Sequence, residues 1–136
     1  MQQCCDYFFC FMKTSRNTNA KAIILDIITN SDVALSHAEL QALANGACDR
    51  VTIYRILDRL VNEDLIHKAV DLDGTVKYAR CHHTEQNHLH NHVHFSCEKC
   101  HLVTCLDTIE PTFTLPKEYL IKEMNFILSG LCPNCK

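Results

Sequence analysis

The sequence predicts an α+β fold in two parts, an N-terminal winged helix-turn-helix domain followed by a small α/β domain pinned by cysteines. Three observations carry this. Helix-forming periodicities occur three times before a two-stranded hairpin, which is the winged helix-turn-helix order. Two paired-cysteine turns, Cys97-x-x-Cys100 and Cys132-x-x-Cys135, lie about 30 residues apart. Immediately before the first pair, histidine recurs at every second residue: His88, His90, His92 and His94.

The elements follow in order. Met1 to Lys13 reads as a short amphipathic helix carrying Tyr7, Phe8, Phe9 and Phe11. Cys4, Cys5 and Cys10 within it have no paired spacing and read as packing thiols. Asn17 to Asn30 reads as a helix, capped by Asn17 or Thr18, with a broad, largely apolar face of Ala22, Ile23, Leu25, Asp26, Ile27 and Ile28. Ser36-His37-Ala38-Glu39 is a capping box opening a second helix to about Ala44, where Asn45-Gly46 stops it. His37 there reads as a surface helix residue.

The third helix starts from Asp49 as cap and runs to Val61. Ile53, Ile56, Leu57 and Leu60 fall on one face, Thr52, Arg55 and Arg59 on the other, with Arg50 and Tyr54 flanking. Strands Leu65 to Val70 and Thr75 to Arg80 then flank the turn Asp71-Leu72-Asp73-Gly74. Beyond Cys105, Pro111 and Pro116 leave any helix short or missing. Tyr119 to Leu131 reads as a strand with Leu120, Met124, Phe126 and Leu128 on one face. Apolar strands on so small a domain point to a homodimer interface.

Four thiolates at paired spacing make the tetrahedral set that holds structural zinc. The ligands are Cys97, Cys100, Cys132 and Cys135. The histidines need a second account, because those thiolates already fill one ion. In an extended segment, residues two apart point the same way, so His88, His90, His92 and His94 line one face. Val93 and Phe95 supply an apolar opposite face for His92 and His94, whereas Leu89 and Asn91 serve His88 and His90 poorly.

Composition sets the limits. The chain has 136 residues and is 47% hydrophobic, enough for one domain or two small ones. Ten cysteines would suit a secreted disulfide scaffold. No signal peptide reads at the start, however, and the apolar stretch Met1 to Met12 is too short to span a bilayer. The expectation is a cytoplasmic protein without a membrane partner, where clustered cysteine means metal. The formal charge of −3 requires any DNA binding to come from a local basic surface.

The third helix offers that surface. Arg50, Arg55 and Arg59 can reach phosphates or guanine edges, and Thr52 and Tyr54 can contact thymine methyls. The wing behind the helix favours this over an ordinary solvated face.

With these residues in hand, the chain resembles the ferric uptake regulator family of metal-dependent repressors. The resemblance rests on Val51-Thr52-Ile53-Tyr54-Arg55, the wing, the His-x-His-Phe-x-Cys-x-x-Cys run and the terminal Cys-Pro-Asn-Cys, and runs from Asn17 onward. It implies a DNA-binding domain over residues 1–80 and a metal-binding dimerisation domain over 81–136. It also implies structural zinc on the four paired cysteines and DNA contacts from Tyr54 and Arg55.

The chain departs from the iron-sensing members. Ala79 and Cys105 stand where those have acidic residues, and Ala34 where they have a histidine. The zinc-sensing branch is similar in having His67 after the third helix, Cys81 ending the wing and histidines before Cys97. That resemblance implies a second, regulatory site drawn from His67, Cys81, Cys105 and two or more of His88, His90, His92 and His94. His82, His83 and Glu85 could also take part. Such a nitrogen–sulfur set suits zinc, with ferrous iron the alternative.

The expected function is a metal-dependent transcriptional repressor, not an enzyme. It would bind palindromic double-stranded DNA as a dimer and regulate metal-uptake genes. Metal between wing and histidine strand would favour the DNA-competent form, and a hundredfold preference is worth about 2.7 kcal/mol. The alternatives are an iron-responsive or peroxide-sensing regulator of the same family, or a zinc-stabilised thiol redox or protein-binding module.

Overall fold

The structure is a computed structural model that describes residues 16–80, 92–122 and 124–136. The readings of the Met1 to Lys13 helix, of Cys4, Cys5 and Cys10, and of residues 81–91 lie outside the described residues. Among the described residues no helix is long and apolar enough to cross a membrane.

Three helices open the described chain: α1 (Arg16–Thr29), α2 (His37–Leu43) and α3 (Arg50–Asn62). The α2 start is locally encoded. The Ser36 side chain accepts from the Glu39 backbone N–H while Glu39 Oε2 accepts from the Ser36 N–H at 2.7 Å, a complete capping box. Asp49 Oδ1 accepts from the Thr52 N–H at 2.7 Å to cap α3. Ile53, Ile56, Leu57 and Leu60 are all buried on one face of α3, as their spacing requires.

They meet Ala20, Ile24 and Ile28 of α1 and Leu40 of α2 in one core. The α1 face differs from the expected one: Ala22 is exposed and Ile24 is fully buried. A run of apolar residues leaves the helix phase open, and packing against α3 chooses it.

The wing is a three-stranded sheet. Strands β2 (His67–Val70) and β3 (Val76–Ala79) form the hairpin, and β1 (Leu35–Ser36) adds to β3 antiparallel, giving the order β1-β3-β2. Strand β1 was not expected, because two residues carry no periodicity.

The second sheet has the order β5-β4-β6, with β4 (Val93–Cys97) central. Strand β5 (Val103–Leu106) pairs with it antiparallel, and β6 (Phe126–Gly130) pairs with it parallel. The strand expected from Tyr119 is confined to β6, and Leu120 lies outside it, 85% exposed. No described residue between β5 and β6 is helical, in keeping with Pro111 and Pro116.

The two sheets meet in a small seam. Ala34, Ala69, Ala79 and Val103 are buried against one another, and the Ala34 N–H donates to the Val103 carbonyl at 2.8 Å. Lys77 on β3 is buried, with Nζ donating to the His101 carbonyl at 3.1 Å and lying 3.8 Å from Glu39 Oε2. A buried ammonium needs such partners.

The α3 core face generates a stability prediction. Leu57→Ala should cost about 2–5 kcal/mol, because the fully buried site cannot collapse around the cavity. Urea unfolding should show a lower midpoint with an unchanged slope.

Candidate metal centres

Two groups of metal-ligating side chains form, and the strands explain both. The first is the four-cysteine cluster. Cys97 ends β4 and Cys100 follows one tight turn later, closed by the His101 N–H donating to the Cys97 carbonyl at 3.0 Å. His101 takes a left-handed φ of 58°, which turns the chain back into β5. Cys132 and Cys135 form the facing turn just beyond β6, with the Cys135 N–H on the Cys132 carbonyl at 2.9 Å. Parallel pairing of β4 with β6 places Cys97 opposite Gly130 and so brings the two turns together.

The four sulfurs of Cys97, Cys100, Cys132 and Cys135 all lie within 4.8 Å of one another. Cys100 Sγ and Cys132 Sγ are 3.8 Å apart. A tetrahedron with metal–sulfur bonds near 2.3 Å has an edge of about 3.8 Å, so the residues fit structural zinc. All are free thiols. Backbone N–H groups of Cys100 and Cys132 hold the Cys97 thiol down at about 6, so one thiolate is preformed at neutral pH.

The second cluster joins the wing to the second sheet. His67 is the first residue of β2, His92 directly precedes β4, His94 lies within β4, and Cys105 sits on β5 opposite His94. Residues opposed across an antiparallel pair share a face, which sets Cys105 beside His94. The three imidazoles are buried and Cys105 is half-buried.

His67 Nε2 lies 2.9 Å from His94 Nε2, 3.2 Å from His92 Nε2 and 3.4 Å from Cys105 Sγ. A tetrahedral ion with metal–nitrogen bonds near 2.05 Å spaces nitrogens by about 3.3 Å and a nitrogen–sulfur pair by about 3.5 Å. The four donors, three nitrogens and one sulfur, fit zinc.

Of the residues expected at this site, Cys81, His88 and His90 lie outside the described residues. His37 does not join it. Its ring stacks on Tyr54 with centroids 3.8 Å apart, and its Nε2 lies 3.1 Å from the Arg50 carbonyl. Sequence reasoning missed Asp107, whose Oδ1 is buried 3.9 Å from His92 Nε2. Its place two residues beyond Cys105 was the available signal.

On α3, Arg50, Tyr54, Arg55 and Arg59 are exposed and Thr52 is half-buried, opposite the core face. The Arg50 guanidinium lies 5.8 Å from the Tyr54 ring centroid.

No family model matches this chain. The zinc uptake regulation protein of Escherichia coli K12 is 26% identical over 134 residues, covering 93% of this chain and 76% of its own length. A solved zinc uptake regulator complexed with zinc and DNA superposes with a TM-score of 0.60 at 23% identity, covering 92% and 86% of the two chains. The ferric uptake regulator Fur of Helicobacter pylori gives 0.59 at 15% identity, covering 86% and 79%. The fold is that of the ferric uptake regulators. In sequence the chain is similar to the zinc uptake regulation proteins of Escherichia coli and Shigella flexneri.

Two predictions follow from the centres. Cys135→Ser should remove one tightly held zinc per chain and fray the second sheet, measured by metal content and far-ultraviolet circular dichroism; a variant retaining zinc and fold would contradict the assignment.

The other concerns protons. Burial, and next the neighbouring Asp107 charge, push the Cys105 thiol up to about 12. It therefore keeps its proton at neutral pH until a cation displaces it. Metal affinity at the second site should rise about tenfold per pH unit near neutrality, as Cys105 gives up one proton for each ion bound. Calorimetry in buffers of different ionisation enthalpy counts the protons, and none released at pH 7.5 would refute this.

Proposed function

We propose that this chain is a zinc-responsive transcriptional repressor that binds palindromic operator DNA as a homodimer and controls genes of metal uptake. The carrying observation is that His67 of the wing meets His92, His94 and Cys105 of the second sheet in one buried cluster. In this reading residues 1–80 bind DNA and residues 81–136 bind metal and dimerise, and the protein is a cytoplasmic regulator and not an enzyme.

The chain's own residues define the switch. His67 belongs to the hairpin that follows α3, so holding its imidazole beside β4 and β5 restrains the wing and the α3 core beneath it. A divalent ion supplies attraction for four donors that otherwise crowd one point. Populations shift by the difference in affinity between the restrained and unrestrained forms. Donor chemistry favours zinc over ferrous iron and manganese, because a thiolate and three imidazoles replace the oxygen-rich sets of harder ions.

Arg50, Thr52, Tyr54, Arg55 and Arg59 carry DNA recognition in this reading. They share the solvent side of a helix whose opposite face is locked into the core. Similarity to the zinc uptake regulation protein of E. coli and to a zinc uptake regulator solved with zinc and DNA supports the same function. Dimerisation is supported by apolar residues beyond β5: Phe113, Tyr119, Leu120 and Leu128 are all exposed there.

The test is retention of palindromic duplex, selected from a random library with zinc present. Zinc should restore binding at far lower free concentration than manganese or ferrous iron. Arg55→Ala should abolish retention while changing stability by no more than ~0.5 kcal/mol. Metal-independent binding, or full-strength binding by that variant, would overturn the reading.

A further inference from the structure

The first residue of α2 is a histidine that belongs to neither metal centre. His37 lies face to face with Tyr54 of α3, the ring centroids 3.8 Å apart and the planes 21° from parallel. At that separation the rings are in van der Waals contact, so this face of Tyr54 is closed to water and to any base. The His37 Nε2–H donates to the Arg50 carbonyl at 3.1 Å, since a carbonyl oxygen only accepts.

The imidazole is thus held from two sides. The Ser36–Glu39 capping box fixes its backbone at the start of α2, and the Arg50 carbonyl fixes its ring. Tyr54 has use for such a support, because it is 44% exposed on the solvent side of α3. A mobile side chain that must be ordered on binding lowers affinity severalfold, and one ordered beforehand avoids that loss. The Arg50 guanidinium also lies 5.8 Å from the Tyr54 centroid, so the stack gathers two of the exposed α3 residues. His37, Arg50 and Tyr54 line a groove of about 540 Å³ together with Thr75 and Val76 beside the wing turn.

We propose that His37 is a positioning residue for DNA recognition, its ring holding Tyr54 so that the phenol edge and hydroxyl, rather than the covered face, meet the duplex. This rests on reading α3 as the DNA-binding helix. An edge-on phenol suits a thymine methyl or a phosphate oxygen, the contacts a major-groove helix makes.

The zinc-loaded full chain and the palindromic duplex selected with zinc test this by fluorescence anisotropy at several salt concentrations. His37→Ala should weaken binding about tenfold with the salt slope unchanged, because no phosphate contact is lost. Its zinc content and melting midpoint should stay close to the parent's. In a Tyr54→Ala background the same change should cost less than about twofold, since nothing is left to position. His37→Phe keeps a ring against Tyr54 and should regain most of the affinity. His37→Gln keeps a donor without the stack and should behave like His37→Ala. In the DNA-free protein, spectra of ring-labelled tyrosine should show Tyr54 shifted by the facing imidazole, a shift lost in His37→Ala. Additive losses in the Tyr54→Ala background, parent-like affinity of His37→Ala, or no such shift would overturn the His37 role and leave the repressor reading standing. Failure of the zinc-loaded parent to retain any duplex would overturn that reading, and this role with it.

Discussion

The Nε2 atoms of His67, His92 and His94 converge within a buried seam, two of them 2.9 and 3.2 Å from the third, and the Cys105 sulfur closes on the same point. Unprotonated imidazole nitrogens brought together this way repel unless a proton or a cation lies between them. The rest of the architecture keeps them there. Antiparallel pairing of β4 with β5 fixes His94 beside Cys105, and the wing hairpin delivers His67 from the other sheet. The Ala34–Val103 backbone bond and the Lys77–His101 contact hold the sheets at the spacing the cluster needs.

The four-cysteine cluster works on a different principle. All four cysteines come from the end of β4 and the turns beyond β4 and β6, so the cluster joins strands of one sheet, and the loop at His101 links it to the first. That loop supplies the carbonyl that accepts from buried Lys77, whose ammonium also faces the Glu39 carboxylate of the α2 capping box. The staple therefore fixes the surface on which the wing rests. A chain of 136 residues with two small cores has little apolar burial to spare. Zinc held by the four cysteines would tie the second sheet and compensate for the smaller of them.

Much of this was legible in the residues. The α3 core face, the Asp49 cap, the Ser36–Glu39 capping box and the paired-cysteine turns each depend on spacings of two to seven residues, and local geometry turns such spacings into structure. His92 and His94 were favoured over their neighbours because Val93 and Phe95 give the strand an apolar side. The α1 face was misjudged at Ala22 and Ile24, since an unbroken apolar run does not select its own phase.

What only the tertiary structure decided lies at long range. Strand β1, the parallel seat of β6 against β4 and the truncation of the strand expected from Tyr119 all depend on pairing between distant segments, which no local periodicity encodes. The assembly of His67 with His94 and Cys105 needs contacts across 27 and 38 residues. Resemblance could suggest its members, but chain order could not bring them together. Asp107 was signalled only by its place two residues beyond Cys105, because a lone carboxylate after a strand looks solvated until folding buries one oxygen beside His92. The sequence by itself determined which donors were available, because ligand chemistry belongs to residue types. The fold decided which of them share a point in space, because that depends on strand register and on the seam between two sheets.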